Sequence, residues 1–90
     1  KMAVILVTYD LKAPGRNYQG VHDYLKTFTH CKKMESVWLL DTAKTPAVIR
    51  DGLKSKIDAN DITFVVKITQ SWAASNFGCG DWLNDSARNW

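Results

Sequence analysis

The chain has 90 residues, of which 46% are hydrophobic and 23% are charged. This length suits one small domain, and this hydrophobic content excludes a disordered chain. No apolar run approaches the roughly 20 residues that a membrane-spanning helix needs, so no membrane association is predicted. The net charge of +3 is too small to identify a nucleic-acid-binding protein by itself.

The positive charge lies mainly in the first third of the chain. Residues 1–34 carry six Lys or Arg against two Asp, whereas the remainder is close to neutral. A basic surface suits contact with phosphate. A solvated surface without a ligand is the simpler interpretation.

Cys31 and Cys79 are far apart, and neither belongs to a CxxC motif. This spacing disfavours a structural zinc site. Since no signal-peptide pattern is present, two cysteines predict reduced thiols in a cytoplasmic protein. Cys79 lies between two glycines and is expected to be exposed.

The central element is the apolar run over residues 3–10, which predicts a strand buried in the middle of a sheet. Alternation places the odd residues on one face and the even residues on the other. The strand ends at Asp10, before a loop over residues 11–17. A carboxylate at this position is either a cap for the loop or a functional group, and the residue type alone favours a cap.

Two amphipathic helices follow from apolar residues that recur every three or four positions. The first is predicted over residues 18–29, with Asn17 as its N-cap, and His30 is expected at its end. The second is predicted over residues 46–56, with Thr45 as N-cap and Pro46 in the first turn.

Three further strands are predicted over residues 30–35, 36–41 and 62–69, the first of them a weak edge strand. The residues of the last strand expected to face the core are Ile62, Phe64, Val66 and Ile68. The tail, residues 71–90, is expected to be irregular with a short helix. Its aromatic residues are expected to cover the core or contact a partner.

The predicted order is βαββαβ followed by the tail. This order predicts an α+β, ferredoxin-like fold, in which two helices cover one face of a four-stranded antiparallel sheet. We expect a single domain over residues 1–90, with its core in residues 3–70.

Several segments in this order resemble the SinR-like proteins, which are similar to the small dimeric CRISPR-associated adaptation nuclease family. The resemblance covers about residues 3–73 and depends on order and spacing rather than on one specific motif. The segments are Thr8-Tyr-Asp-Leu11, Pro14-Gly-Arg-Asn-Tyr18, Glu35-Ser-Val-Trp-Leu-Leu40, Ile49-Arg-Asp-Gly-Leu53 and Asn60-Asp61.

The resemblance implies a homodimer in which Asp10 approaches its symmetry mate. There it would be the catalytic and metal-binding residue, holding Mg²⁺ or Mn²⁺ for phosphodiester hydrolysis, because two adjacent carboxylates repel unless a cation lies between them. The residues expected to contact DNA or RNA are Lys12, Arg16 and Tyr9. Those expected at the dimer interface are Tyr9, Ser36, Trp38 and Trp72.

Two features differ from that family: the tail does not read as a strand that crosses to the partner, and no second carboxylate lies near Asp10 in the chain. Whether the chain is an enzyme therefore stays open. The alternatives are a non-catalytic dimeric scaffold or a module that binds nucleic acid or protein, and a toxin-like ribonuclease. Neither His22 nor His30 has the spacing of a catalytic triad.

Overall fold

A computed structural model describes residues 2–13 and 18–90. Among these residues no helix is long and apolar enough to cross a membrane. The elements, in chain order, are β1 (Ala3–Asp10), α1 (Gln19–Lys26), β2 (Thr29–Met34), β3 (Val37–Thr42), α2 (Pro46–Lys54), β4 (Ile62–Lys67) and α3 (Gly80–Asn84).

The strands form one antiparallel sheet in the order β2-β3-β1-β4. The predicted α+β fold and four-stranded sheet are therefore confirmed, and the architecture is consistent with a small ferredoxin-like fold. It departs from a strict βαββαβ order by the additional helix α3. Strand β2 lies at the sheet edge, as its polar sequence predicted.

The first face of the sheet packs against α1 and α2. Odd residues of β1 and even residues of β3 meet apolar residues of both helices. The buried residues of this cluster are Ile5, Val7, Val21, Leu25, Trp38, Leu40, Ile49 and Leu53. The predicted division of β1 and β3 into two faces is confirmed by these contacts.

The helix ends follow local sequence signals in part. Thr45 caps α2, because its hydroxyl accepts a hydrogen bond from the Val48 backbone N–H at 3.3 Å, and Pro46 occupies the first turn. Helix α1 is shorter than predicted and ends at Lys26. His30 therefore lies in β2 rather than at a helix end. The predicted cap at Asn17 lies outside the described residues.

The second face of the sheet consists of rows of cross-strand neighbours. The register places Cys31, Leu39, Leu6 and Val66 in one row, and Val4 lies between Asp41 and Ile68 in the row beside it. The C-terminal segment, residues 71–90, covers these two rows. The residues of this segment that pack there are Trp72, Phe77, Cys79, Trp82, Leu83 and Trp90.

The two cysteines form a disulfide that ties the C-terminal segment to β2. The Cα atoms of Cys31 and Cys79 are 6.0 Å apart, across 48 positions of sequence. The prediction of reduced thiols is therefore wrong for this structure. The prediction that Cys79 is exposed is also wrong, because its exposed fraction is 1%.

The facing predicted for β4 is wrong at its start. Ile62 is 54% exposed and Phe64 is 60% exposed, whereas Val65 packs against the helix-side core. The pairing of Val7 with Val65 explains this, because directly opposed residues share a face of the sheet. Ile62 and Phe64 consequently lie on the second face, beyond the reach of the C-terminal segment.

Candidate functional site

The uncovered end of the second face forms an apolar surface with one carboxylate at its border. We call it the open sheet patch. One row crosses all four strands, and a second, shorter row contains Asp10 and Ile62. The residues of the patch are Met34, Val37, Thr8, Phe64, Asp10 and Ile62.

Three large apolar side chains make the patch unusual for a solvent-facing sheet. Met34 is 51% exposed, and Ile62 and Phe64 are more exposed still. Ile62 and Phe64 are two positions apart on the same face of β4 and form a contiguous exposed apolar surface, whereas Met34 lies at the opposite edge of the sheet. Contiguous exposed apolar side chains typically mark an interaction surface. The patch is therefore the candidate binding site.

Asp10 projects from the end of β1 with 62% of its side chain exposed. Its Oδ2 lies 2.9 Å from Nζ of Lys12, itself 49% exposed, so the carboxylate already has a cation beside it. Among the described residues there is no group of three or more His, Cys, Asp or Glu that could hold a metal ion. The described part of one protomer therefore lacks the three or more ligands that a divalent-metal site uses.

The chain after Asp10 is held by the carboxylate of Asp61. That carboxylate accepts hydrogen bonds from the Lys12 backbone N–H at 2.7 Å and from the Tyr18 hydroxyl at 2.8 and 2.9 Å. The Tyr18 oxygen in turn accepts a hydrogen bond from the Ala13 N–H at 3.2 Å. Asp61 therefore fixes the direction in which the backbone leaves Asp10 and positions the Asp10–Lys12 pair.

Burial raises the pKa of Tyr18 above its ordinary value of 10.0, and the hydrogen bond to Asp61 raises the pKa further. Because the folded state holds the proton more tightly, Tyr18 contributes stability that is complete below pH 10 and is lost as pH rises through the folded pKa. We expect Tyr18→Phe to be less stable than wild type at neutral pH, with a difference that shrinks above pH 10. Urea unfolding on both sides of pH 10 tests this.

Tyr24, whose pKa burial also raises, is present in both proteins, so their comparison isolates Tyr18. A stability difference that is the same at every pH would contradict the role given to the hydrogen bond with Asp61.

Two of the predicted interface residues face the helices rather than the patch. Trp38 is 1% exposed within the helix-side core. Its indole N–H donates to the Tyr9 hydroxyl at 3.0 Å, and Tyr9 packs against the same core. In this protomer Tyr9 and Trp38 therefore lie on the face opposite Asp10.

The other predicted site residues are also separated from one another. Ser36 occupies the turn between β2 and β3 with a φ of 59°, so it precedes β3 rather than opening it. Trp72 belongs to the C-terminal segment and packs against the covered rows of the second face. Arg16 lies outside the described residues. Among the described residues, the structure brings together Asp10 with Lys12 on one face and Tyr9 with Trp38 on the other. The roles of Asp10 and Lys12 in catalysis, metal binding and nucleic-acid contact remain predictions.

Sequence reasoning missed Met34, Ile62 and Phe64 as surface residues. The alternation in β4 indicated a facing, with Ile62 and Phe64 inward and Thr63 and Lys67 outward, but the structure turns Val65 toward the helices instead. The available signal was the facing of β1. Because directly opposed residues share a face, the register between β1 and β4 determines which residues of β4 face the helices.

The fold and patch define a small α+β protein with a partly covered antiparallel sheet. No protein-family model matches this chain, and no solved structure matches it either. The resemblance to SinR-like proteins and to the adaptation nucleases therefore remains a prediction from sequence.

Proposed function

We propose that this protein acts as a homodimeric, nucleic-acid-associated scaffold whose protomers join through the open sheet patch. The observation that carries the proposal is the pair of exposed apolar side chains Ile62 and Phe64 on the edge strand β4, the first of them directly opposite Asp10. A partner of the same composition would remove Met34, Ile62 and Phe64 from water, and this transfer contributes roughly 25 cal/mol for each Å² of apolar area buried.

A two-fold arrangement also suits the position of the carboxylate. Asp10 and Ile62 form the last row of the patch. An axis through that end of the sheet would bring the two Asp10 side chains toward each other, as the resemblance implies. Lys12, paired with Asp10, would moderate the repulsion between the carboxylates.

The association with DNA or RNA is supported by charge and by the resemblance. Six basic residues occur in the first third of the chain, Lys12 among them. Binding through such residues should weaken steeply with added salt, because phosphate contacts release counterions. Binding to a protein without nucleic acid is the alternative, and it would lack this steep dependence on salt.

We expect Phe64→Glu to convert the dimer into a monomer, since it places a charge in the middle of the proposed interface. Val48→Glu is the matched control, because Val48 is 48% exposed but lies on α2, away from the patch. Sedimentation velocity should give a dimer for wild type and Val48→Glu and a monomer for Phe64→Glu. A monomeric wild type, or a dimeric Phe64→Glu, would exclude this interface.

A metal-dependent phosphodiesterase is the second candidate function, favoured by the exposure of Asp10 beside the proposed interface. Because the described residues of one protomer do not form a divalent-metal site, this activity would require Asp10 from both protomers. We expect Asp10→Asn to abolish cleavage of RNA or DNA in Mg²⁺ or Mn²⁺, while the control Asp51→Asn, which neutralises an exposed, ion-paired carboxylate on α2, retains cleavage.

The pattern of cleavage separates the remaining alternatives. Cleavage confined to RNA would favour a toxin-like ribonuclease, and salt-dependent binding without cleavage would favour the scaffold. Equal cleavage by wild type and Asp10→Asn would show that Asp10 is not a catalytic residue.

The proposed compartment is the cytoplasm, as the sequence predicted. A stable disulfide is uncommon there, since the thiol pools of the cytosol keep cysteines reduced. The compartment and the disulfide are compatible if the cysteine pair changes its oxidation state within the cell.

A further inference from the structure

We propose that the disulfide between Cys31 and Cys79 is a redox-controlled clamp that holds the C-terminal segment on the sheet. Reduction would release residues 71–90 and uncover the two rows beneath them. This inference concerns the covered part of the second face and does not depend on the proposed homodimer.

The C-terminal segment is attached to the sheet by few kinds of contact. Within the described residues its backbone–backbone hydrogen bonds close on the segment itself, for example Leu83 N–H to the Cys79 carbonyl at 3.0 Å. Its helix α3 has only five residues, too short to be stable alone. The attachments to the sheet are the disulfide, the ion pair between Arg88 and Asp41, and apolar packing.

The disulfide is the covalent restraint on the segment, beside its ion pair and its apolar packing. Cys31 lies in the edge strand β2, and Cys79 immediately precedes α3 near the middle of the segment. Without the bond, the segment is connected to the sheet covalently only through β4. Local opening has a low cost where a region has few backbone hydrogen bonds to the rest of the protein.

The burial of the disulfide determines how reduction would proceed. Cys79 is 1% exposed and Cys31 is 9% exposed, so a reductant reaches the sulfurs when the segment opens. The reductant is a dithiol. Its thiolate attacks one sulfur and forms a mixed disulfide, and its second thiol resolves this intermediate. The Cys31–Cys79 bond takes up two electrons and two protons to give two thiols, and the dithiol is oxidised to its own disulfide.

Release would change the surface of the protein. The uncovered rows contain Leu6, Leu39 and Val4, and they continue directly into the open sheet patch. The reduced protein would therefore present a larger apolar surface than the oxidised protein. The helix-side core shares none of these contacts and would stay folded.

Hydrogen exchange measured by mass spectrometry on the full chain, with and without dithiothreitol, tests the proposal. We expect exchange in residues 71–90 to increase more than about tenfold on reduction, while α1 and α2 remain protected. Reoxidation should restore protection. The variant Cys31→Ala/Cys79→Ala should match the reduced protein without any reductant.

Two outcomes would overturn the proposal. Unchanged exchange in residues 71–90 of the reduced protein would show that packing alone holds the segment. Exchange that rises as much in α1 and α2 as in residues 71–90 would show that the bond acts on global unfolding alone and does not clamp one segment. Because exchange reports each segment separately, neither outcome depends on whether the protein dimerises.

Discussion

Removing the disulfide is expected to lower the free energy of unfolding by up to about 4 kcal/mol. The bond closes a loop across 48 positions of sequence, and the chain-entropy estimate for a loop of this size is about 4 kcal/mol. Folding stabilities of small domains are typically about 5–15 kcal/mol, so the variant Cys31→Ala/Cys79→Ala should still fold. Urea unfolding of this variant, compared with wild type, measures the loss.

The reduced wild-type protein is the control for side-chain truncation. It lacks the bond but keeps both sulfurs, so its stability should fall by nearly the same amount as that of the double variant. A loss below about 1 kcal/mol in both proteins would contradict the estimate.

The second large effect is expected at the ion pair between Arg88 and Asp41. The guanidinium nitrogen Nη1 lies 2.7 Å from Oδ2 of Asp41, and the two side chains are only 10% and 8% exposed. Arg88→Leu leaves the carboxylate buried without its cation, for which the expected cost is about 3 kcal/mol. Denaturant unfolding at neutral pH measures the change.

Replacing Asp41 and replacing Arg88 should lower the free energy of unfolding by different amounts. Asp41 lies in β3 between two paired strands and cannot move to water, whereas Arg88 lies in irregular chain and can turn outward. Asp41→Leu should therefore cost less than Arg88→Leu. Two polar atoms of the pair, Asp41 Oδ1 and Arg88 Nε, are buried without hydrogen-bond partners among the described residues.

The double variant Asp41→Leu/Arg88→Leu completes a double-mutant cycle, which measures the coupling between the two side chains. Because the pair is incompletely satisfied, replacing both side chains by apolar groups should restore most of the stability that Arg88→Leu loses. Equal losses for the two single variants, or additive losses in the double variant, would contradict this account.

Local sequence signals were sufficient for most of the sheet and for one helix boundary. The apolar run of β1 and the alternation in β3 predicted both the strands and their faces. The Thr45–Pro46 pair predicted the start of α2, because capping depends on residues that are adjacent in sequence. These features require no knowledge of the tertiary fold.

The remaining features depend on contacts between distant residues. The disulfide follows from the C-terminal segment lying across β2, and no spacing rule relates Cys31 to Cys79. The facing of β4 is set by its register with β1, which pairs Val65 with Val7, although the alternation within β4 itself indicated the opposite facing. The open sheet patch then results from the extent of the C-terminal segment, which covers two rows and leaves Met34, Ile62 and Phe64 exposed.

For the same reason, the candidate site was predicted only in part. Asp10 was identified from its place at the end of β1, and its ion pair with Lys12 joins residues two positions apart. The apolar residues beside it, Ile62 and Phe64, come from β4. Their proximity to Asp10 is a property of the sheet order and could not be read from the chain.

Cross-linking at position 10 tests most directly whether the patch joins two protomers with their carboxylates close together. Asp51→Cys on α2 is the matched control, because Asp51 is 61% exposed and, like Asp10, is paired with a neighbouring cation. With a short bis-maleimide, Asp10→Cys should give a covalent dimer rapidly, and Asp51→Cys should remain monomeric on a denaturing gel. Equal, slow cross-linking of the two variants would contradict the proposed dimer.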